Sequence, residues 1–297
     1  MVRKRTLGGY VGRSTIYLVV FLLGLVCLLP LLNILAISFS SSAAVAANKV
    51  SFVPVDFSTA AYTKILEDKQ FWRSLLISVA RVIFGLILNV VLIVLMAYPL
   101  SKLKREFKGR SIYMNLLIFA MLFSGGMIPT YLVIKNYGLL NSIWALILPG
   151  AVPIFSVIMV MNFFKGIPKS LEEAAIIDGA SPMRVLLSVY IPCSKPVIAT
   201  VSLFSIVGNW NDFFGGLLYM TKVSNYPLQT YIQSLSVKLE DMLSAGGSVT
   251  AMVNALAVSA QNLNAAKIIV SVIPLLLIYP MLQKYLISGI VMGSVKE

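Results

Sequence analysis

Glu173-Ala174-Ala175-Ile176-Ile177-Asp178-Gly179, followed by Val189-Tyr190-Ile191-Pro192, is a polar, charged island between two long apolar segments. Local physics predicts two short helices here. Ser170 with Glu173 three residues later is a capping-box pattern, so a helix is expected to start there. Glu172 and Glu173 then fall in its first turn, where the helix dipole favours negative charge. Asp178-Gly179 ends it, because glycine adopts a positive φ without steric penalty. Ser181 caps a second helix with Pro182 at its first position, carrying Met183, Val185, Leu186, Leu187 and Val189. Pro192 and Pro196 bracket the return to apolar sequence. Such a stiff pair transmits a push; a soft linker absorbs it. An amphipathic pair lying on a membrane surface without a partner is the blander reading of the same residues.

The flanks set the class. Of 297 residues 59% are hydrophobic and only 12% charged, about half the charged share of a soluble domain. A membrane span needs about 20 mostly apolar residues. Candidate segments lie near 14–38, 74–100, 112–134, 143–164, 194–220 and 267–287, giving an all-α protein with six transmembrane helices. The first follows Arg3, Lys4, Arg5 and Arg13 but is longer than a signal-peptide core and has no convincing cleavage site, so it is read as retained. Basic residues gather in the N-terminus and in Lys102, Lys104, Arg105, Lys108 and Arg110, which marks those loops as cytoplasmic. Both termini then lie on the cytoplasmic side. The expected organisation is a tail at 1–13 and a single transmembrane domain at 14–297, with an inner loop at about 165–193, an outer loop at about 221–266 and a C-terminal tail at about 288–297.

Several functions are excluded. The net charge of +13 is distributed as membrane-flanking clusters, for which anionic lipid headgroups suffice as partners without nucleic acid. Histidine is absent, and Cys27 and Cys193 form no metal-ligand spacing. Catalytic, cofactor-binding and metal residues are therefore expected to be none, and no phosphate-binding G-x(4)-G-K-S/T loop occurs. Few intramembrane acids and no visible inverted repeat argue against a carrier acting alone.

Polar groups inside apolar spans mark possible sites. Arg81 is expected to snorkel outward or to pair between helices, ahead of any contact with a solute. Asn209, Trp210, Asn211 and Asp212 interrupt the fifth segment and should face protein or a water-filled path. Amides and a carboxylate suit sugar hydroxyls, and an indole face suits a pyranose ring. A hydrogen-bonded interhelical cluster explains them equally well.

Taken together, the strings resemble the permease subunits of binding-protein-dependent ABC importers. The inner loop matches their Glu-Ala-Ala, x(3), Gly, x(9), branched-x-branched-Pro pattern, with Val189 and Ile191 where Ile and Leu are usual. Gly125-Gly126-Met127-Ile128-Pro129-Thr130-Tyr131, Gly138-Leu139-Leu140-Asn141-Ser142-Ile143-Trp144, the Trp210-Asn211-Asp212-Phe213-Phe214 string and Tyr226-Pro227-Leu228-Gln229 resemble carbohydrate permeases, as does the tail from Gln283 to Lys296. The likeness covers nearly the whole chain. It is nearest to the maltose-permease-like second subunit, in its Gram-positive oligosaccharide branch. The resemblance implies a type I importer permease fold in the bacterial cell membrane, and an ATPase-coupling role for Glu172, Glu173, Ala174, Ala175, Asp178, Gly179 and Pro192. Glu173 is the expected contact with the ATPase; Glu172 and Asp178 serve equally well as turn residues. Implied partners are a second, non-identical permease, two ATPase subunits that bind ATP and Mg²⁺, and an extracellular binding protein that delivers a sugar. An amino acid, peptide or polyamine permease shares the Glu-Ala-Ala loop and is the alternative.

Overall fold

The computed structural model describes residues 7–244, 261–280 and 283, and every regular element among them is helical. Helix α1 (Leu7–Ser38) is followed by α2 (Ser42–Ala46), α3 (Ala60–Glu67) and the long α4 (Lys69–Ser101). Next come α5 (Arg110–Leu122), α6 (Met127–Asn136), α7 (Ile143–Ile147) with a 3₁₀ turn at Leu148–Gly150, and α8 (Ile154–Lys165). The inner loop holds α9 (Lys169–Ile177), α10 (Pro182–Val185), a π-helical turn at Leu186–Tyr190 and α11 (Ile191–Cys193). Then follow α12 (Lys195–Asn211), α13 (Phe214–Tyr219), α14 (Leu228–Ser244) and α15 (Gln261–Pro280).

Three helices are long and apolar enough to cross a membrane, in Gly12–Ser38, Lys69–Ser101 and Gln261–Pro280; the number rises to six if each of three bent pairs is one span. Each of these pairs is sharply bent. The segment expected at 112–134 turns by 113° between α5 and α6, and that at 143–164 by 51° between α7 and α8. The third pair, Pro182–Cys193 with Lys195–Asn211, turns by 85°. The fifth expected segment, 194–220, also breaks at Asp212-Phe213 between α12 and α13. Glycine and proline supply the reason at the first bend: Gly126 adopts φ +90° where α5 has ended, and Pro129 sits in the first turn of α6.

The outer segments also differ from expectation. The first outer loop, expected at 39–73, closes at Asp68 and contains α2 and α3. In the second, expected at about 221–266, α14 runs for 17 residues. Gln261-Asn262-Leu263-Asn264 opens α15, six positions ahead of the expected start at 267. Gly246-Gly247, the tail at 288–297 and the expected N-terminal tail through Thr6 lie outside the described residues.

Contacts gather the chain into two units. One comprises Met1–Lys69 with Ile232–Val272. Within it Ser40 Oγ donates to Ala36 O at 2.7 Å and accepts from Val55 N at 3.0 Å, which closes the loop after α1. Asn262 Nδ2 donates to Ile37 O and Ser40 O at 2.7 and 2.6 Å, satisfying carbonyls freed at the end of α1. The other unit comprises Gln70–Tyr231 with Ile273–Glu297. Its core joins Ile93 and Ala97 of α4, Val157, Val160 and Phe164 of α8, and Val201 of α12 to Val185, Leu186 and Tyr190 of the inner loop. The inner loop is thus packed into the helical core. Asn141, at φ +63°, accepts from Thr221 N at 2.8 Å through its side chain, so it fastens the turn before α7 to the chain after α13.

Candidate functional site

The inner loop folds into short helices as the sequence implies, with one local difference. Helix α9 begins at Lys169 after Pro168, so Ser170 lies inside it and the expected capping box does not form. The rigid φ of Pro168 starts the helix ahead of the serine. Glu172 remains in the first turn, while Glu173 falls beyond it. The turn is as expected: Gly179 adopts φ +78°, its N–H donates to Ile176 O at 2.9 Å, and Ala180 N donates to Ala175 O at 2.9 Å. These two bonds satisfy the last carbonyls of α9 and fix its exit direction. Ser181 caps α10 by accepting from Arg184 N at 3.4 Å. The second helix is shorter than expected, because a π-helical turn follows Val185.

Helical periodicity divides the coupling candidates. Glu173, Ala174, Asp178, Gly179 and Pro192 are exposed, as are Ile176 and the 85%-exposed Ile177. Glu172 and Ala175, three apart and so on one face, turn inward, and Ala175 packs on the core. Glu172 pairs with Lys102, and its Oε2 accepts from Tyr190 Oη at 2.7 Å. Burial works to raise its carboxyl, but hydrogen bonds from Lys102 and Tyr190, with the charges of Lys102 and Lys169, outweigh it and hold it below the usual carboxylate value. Beside this pair a recess of about 600 Å³ is lined by Glu173, Ile176, Arg105, Glu106 and Phe107 among others.

A second site lies between α4, α6, α7, α8, α12 and α13. It is a cavity of about 510 Å³, bordered by Arg81, Asn89, Ser205, Asn209, Asp212 and Tyr219, with Phe204, Phe214 and Met127. Arg81, 3% exposed, donates from Nη2 to Asp212 Oδ2 at 2.5 Å and to Leu146 O at 3.2 Å, and from Nη1 to Asp212 O at 2.9 Å. Of the two expectations for Arg81, pairing between helices is the observed one. Asn89 Nδ2 donates to Gly150 O at 3.0 Å and Ala151 O at 2.8 Å, and its Oδ1 accepts from Ser205 Oγ at 2.6 Å. Where a helix breaks among apolar neighbours its carbonyls need donors; Arg81 and Asn89 supply them. Of the four residues singled out in the fifth segment, Asn209 and Asp212 border the cavity. Trp210, 5% exposed, packs into the protein, and Asn211 is exposed. Asn89 and Ser205 were missed; a lone amide within the apolar run of α4 was the available signal. Lys102 and Tyr190 were also missed as site residues, since a basic cluster and a motif spacer conceal a pair 88 positions apart.

A hydroxyl- and amide-lined cavity of this size can hydrogen-bond a small polar solute, and the outward face of α9 can seat a partner. Residues 90–292 match the family of binding-protein-dependent transport system inner membrane components. Protein LplC of Bacillus subtilis is 42% identical over 92% of this chain and 90% of its own length. The polygalacturonan/rhamnogalacturonan transport system permease protein YtcP of the same organism is 40% identical over 95% of this chain and 96% of its own. A crystal structure of a bacterial ABC transporter involved in import of the acidic polysaccharide alginate contains a chain that superposes with a TM-score of 0.83, at 31% identity, over 94% of this chain and 98% of that one. The chain belongs to the binding-protein-dependent transport system inner membrane components and is a membrane permease of an ABC transporter.

Proposed function

We propose that this chain is the permease subunit of an ATP-driven importer that takes up oligosaccharides handed over by an extracellular binding protein. The observation that carries the reading is the pairing of an outward-facing, glycine-terminated α9 with close similarity to YtcP along almost the whole of both chains. Helices α1 and α4, the bent pairs α5 with α6 and α7 with α8, helix α12 and helix α15 then serve as six spans, with both termini and the loop at 165–193 cytoplasmic. A second, non-identical permease completes the path, and two ATPase subunits bind ATP and Mg²⁺. Glu173, Ala174, Ile177, Asp178 and Gly179 form the docking face for one of them, with Ala175 and Pro192 supporting its shape. Binding-protein docking outside and ATPase closure inside shift the permeases between inward- and outward-open states through differential affinity for the two.

The test is uptake by proteoliposomes holding the complete complex, supplied with binding protein and a panel of labelled solutes. ATP-dependent accumulation of one oligosaccharide class supports the proposal. Accumulation of an amino acid, peptide or polyamine in its place rejects the sugar assignment, and failure of any ATPase subunit to purify with the chain rejects the importer.

A further inference from the structure

Lys102, Glu172 and Tyr190 come from the position just after α4, from α9 and from the π-helical turn, and they close a three-way contact. Lys102 Nζ pairs with Glu172 Oε1 and donates to Tyr190 Oη at 3.0 Å, while Tyr190 Oη donates to Glu172 Oε2 at 2.7 Å. The ammonium also lies 4.3 Å from the centroid of the Tyr98 ring and 4.4 Å from that of Tyr190. Only 13% of the Lys102 side chain and 20% of that of Glu172 reach solvent. An ion pair so enclosed, with rings on the cation and a hydroxyl on the second carboxylate oxygen, holds its geometry far better than an exposed pair. Both oxygens of Glu172 are occupied from within the chain, whereas neighbouring Glu173 is exposed.

Resting on the importer reading, we infer that Glu172 is a positioning residue: with Lys102 and Tyr190 it locks α9 to α4, so that a displacement of α9 reaches the cavity wall through α4. Chain connectivity alone offers poorer routes. Helix α9 joins α8 through Gly166-Ile167-Pro168 and joins α10 through the Gly179 turn, so its backbone is helically continuous with neither. Helix α4 is continuous from Lys69 to Ser101 and carries Asn89 and Arg81, both of which border the cavity. At about 1.5 Å per residue these lie about 18 and 30 Å along the helix from its last residue, Ser101, which adjoins Lys102. A push on α9 therefore moves the donors that hold the carbonyls of Leu146, Gly150 and Ala151 at the broken helices.

The test uses the complete reconstituted complex, with sugar uptake and ATP hydrolysis measured in the same vesicles. In E172Q and K102M the ratio of sugar moved to ATP hydrolysed is expected to fall about fivefold or more. The double variant E172Q/K102M is expected to be no worse than the poorer single, since a tie is broken once, and the reversed pair K102E/E172K to recover part of the ratio. Additive losses in the double variant, or an unchanged ratio in E172Q, overturn the inference while leaving the importer reading in place. A wild-type complex whose ATP hydrolysis ignores loaded binding protein overturns both. Should the variants fail to assemble, spin labels at Ser170→Cys and Lys104→Cys in a C27S/C193S complex with the tie intact decide the matter. A separation equal in nucleotide-free and ATP-bound states supports the lock, and one that changes between them overturns it.

Discussion

Arg81 and Asp212, 131 positions apart, form an ion pair in which the guanidinium also grips the backbone oxygen of its partner: Nη2 lies 2.5 Å from Asp212 Oδ2 and Nη1 lies 2.9 Å from Asp212 O. The same carboxylate accepts from Gly215 N at 3.1 Å, so one aspartate holds a first-turn N–H of α13 and neutralises a buried cation. Asp212→Asn leaves Arg81 buried without its counter-charge. A fully enclosed pair loses about 3–5 kcal/mol when one partner is removed. Because 36% of the Asp212 side chain is exposed, about 1–3 kcal/mol is expected. Thermal unfolding in detergent should show the loss, and replacing both residues with apolar ones of similar volume should restore part of it.

A close approach beside that pair gives a second expectation. A Cβ on Gly216 meets Thr230 Oγ1 at 2.0 Å, and Thr230, which is fully buried, donates to Phe213 O at 2.8 Å. Gly216→Ala should therefore destabilise by about 1–3 kcal/mol through overpacking. Gly208, with nothing within 4 Å of its Cβ position, is the control: Gly208→Ala should be neutral or stabilise by up to about 1 kcal/mol. Equal melting behaviour in the two variants would contradict this packing.

Acid should act on the inner loop through Glu172. Its carboxyl titrates below the ordinary value in the folded chain, so its stabilisation is complete above the usual carboxylate range of about 4.3 and is lost as pH falls through the lowered folded value. The gap in unfolding temperature between wild type and E172Q should stay constant through neutral pH and shrink only in acid. A gap that changes between about pH 6 and 8 would assign the titration to another group.

Gly179 holds a conformation that no other residue adopts freely. Gly179→Ala at φ +78° should cost about 1–2 kcal/mol locally. Gly179→Pro also deletes the N–H that donates to Ile176 O and cannot reach this φ. The proline variant should abolish stimulated ATP hydrolysis even where the complex assembles, and the alanine variant should lower it. Normal stimulation with proline would show that the exit direction of α9 is irrelevant to coupling.

What the sequence made legible follows from range. The glycine turn at 179 and the Ser181 cap depend on neighbours a few residues away, and both are found. The start of α9 was misread because two local signals compete, and Pro168 sets the boundary ahead of Ser170. Hydropathy located α4 but not the angles at which the broken helices turn, since these leave composition unchanged. Arg81 with Asp212 and Lys102 with Glu172 are contacts between distant stretches, and no local pattern specifies them. Only Asn209 and Asp212 of the expected polar string border the cavity: successive residues on a helix point about 100° apart, so four consecutive positions cannot share one face.

The most direct test of the coupling assignment is Glu173→Lys, because this side chain is exposed on α9. Stimulation of ATP hydrolysis by sugar-loaded binding protein should be measured in the reconstituted complex alongside wild type. The expected result is an assembled complex whose stimulation falls about tenfold, the scale for losing one partner of an interface charge pair. Full stimulation with an intact complex would contradict the claim that this face of α9 meets the ATPase.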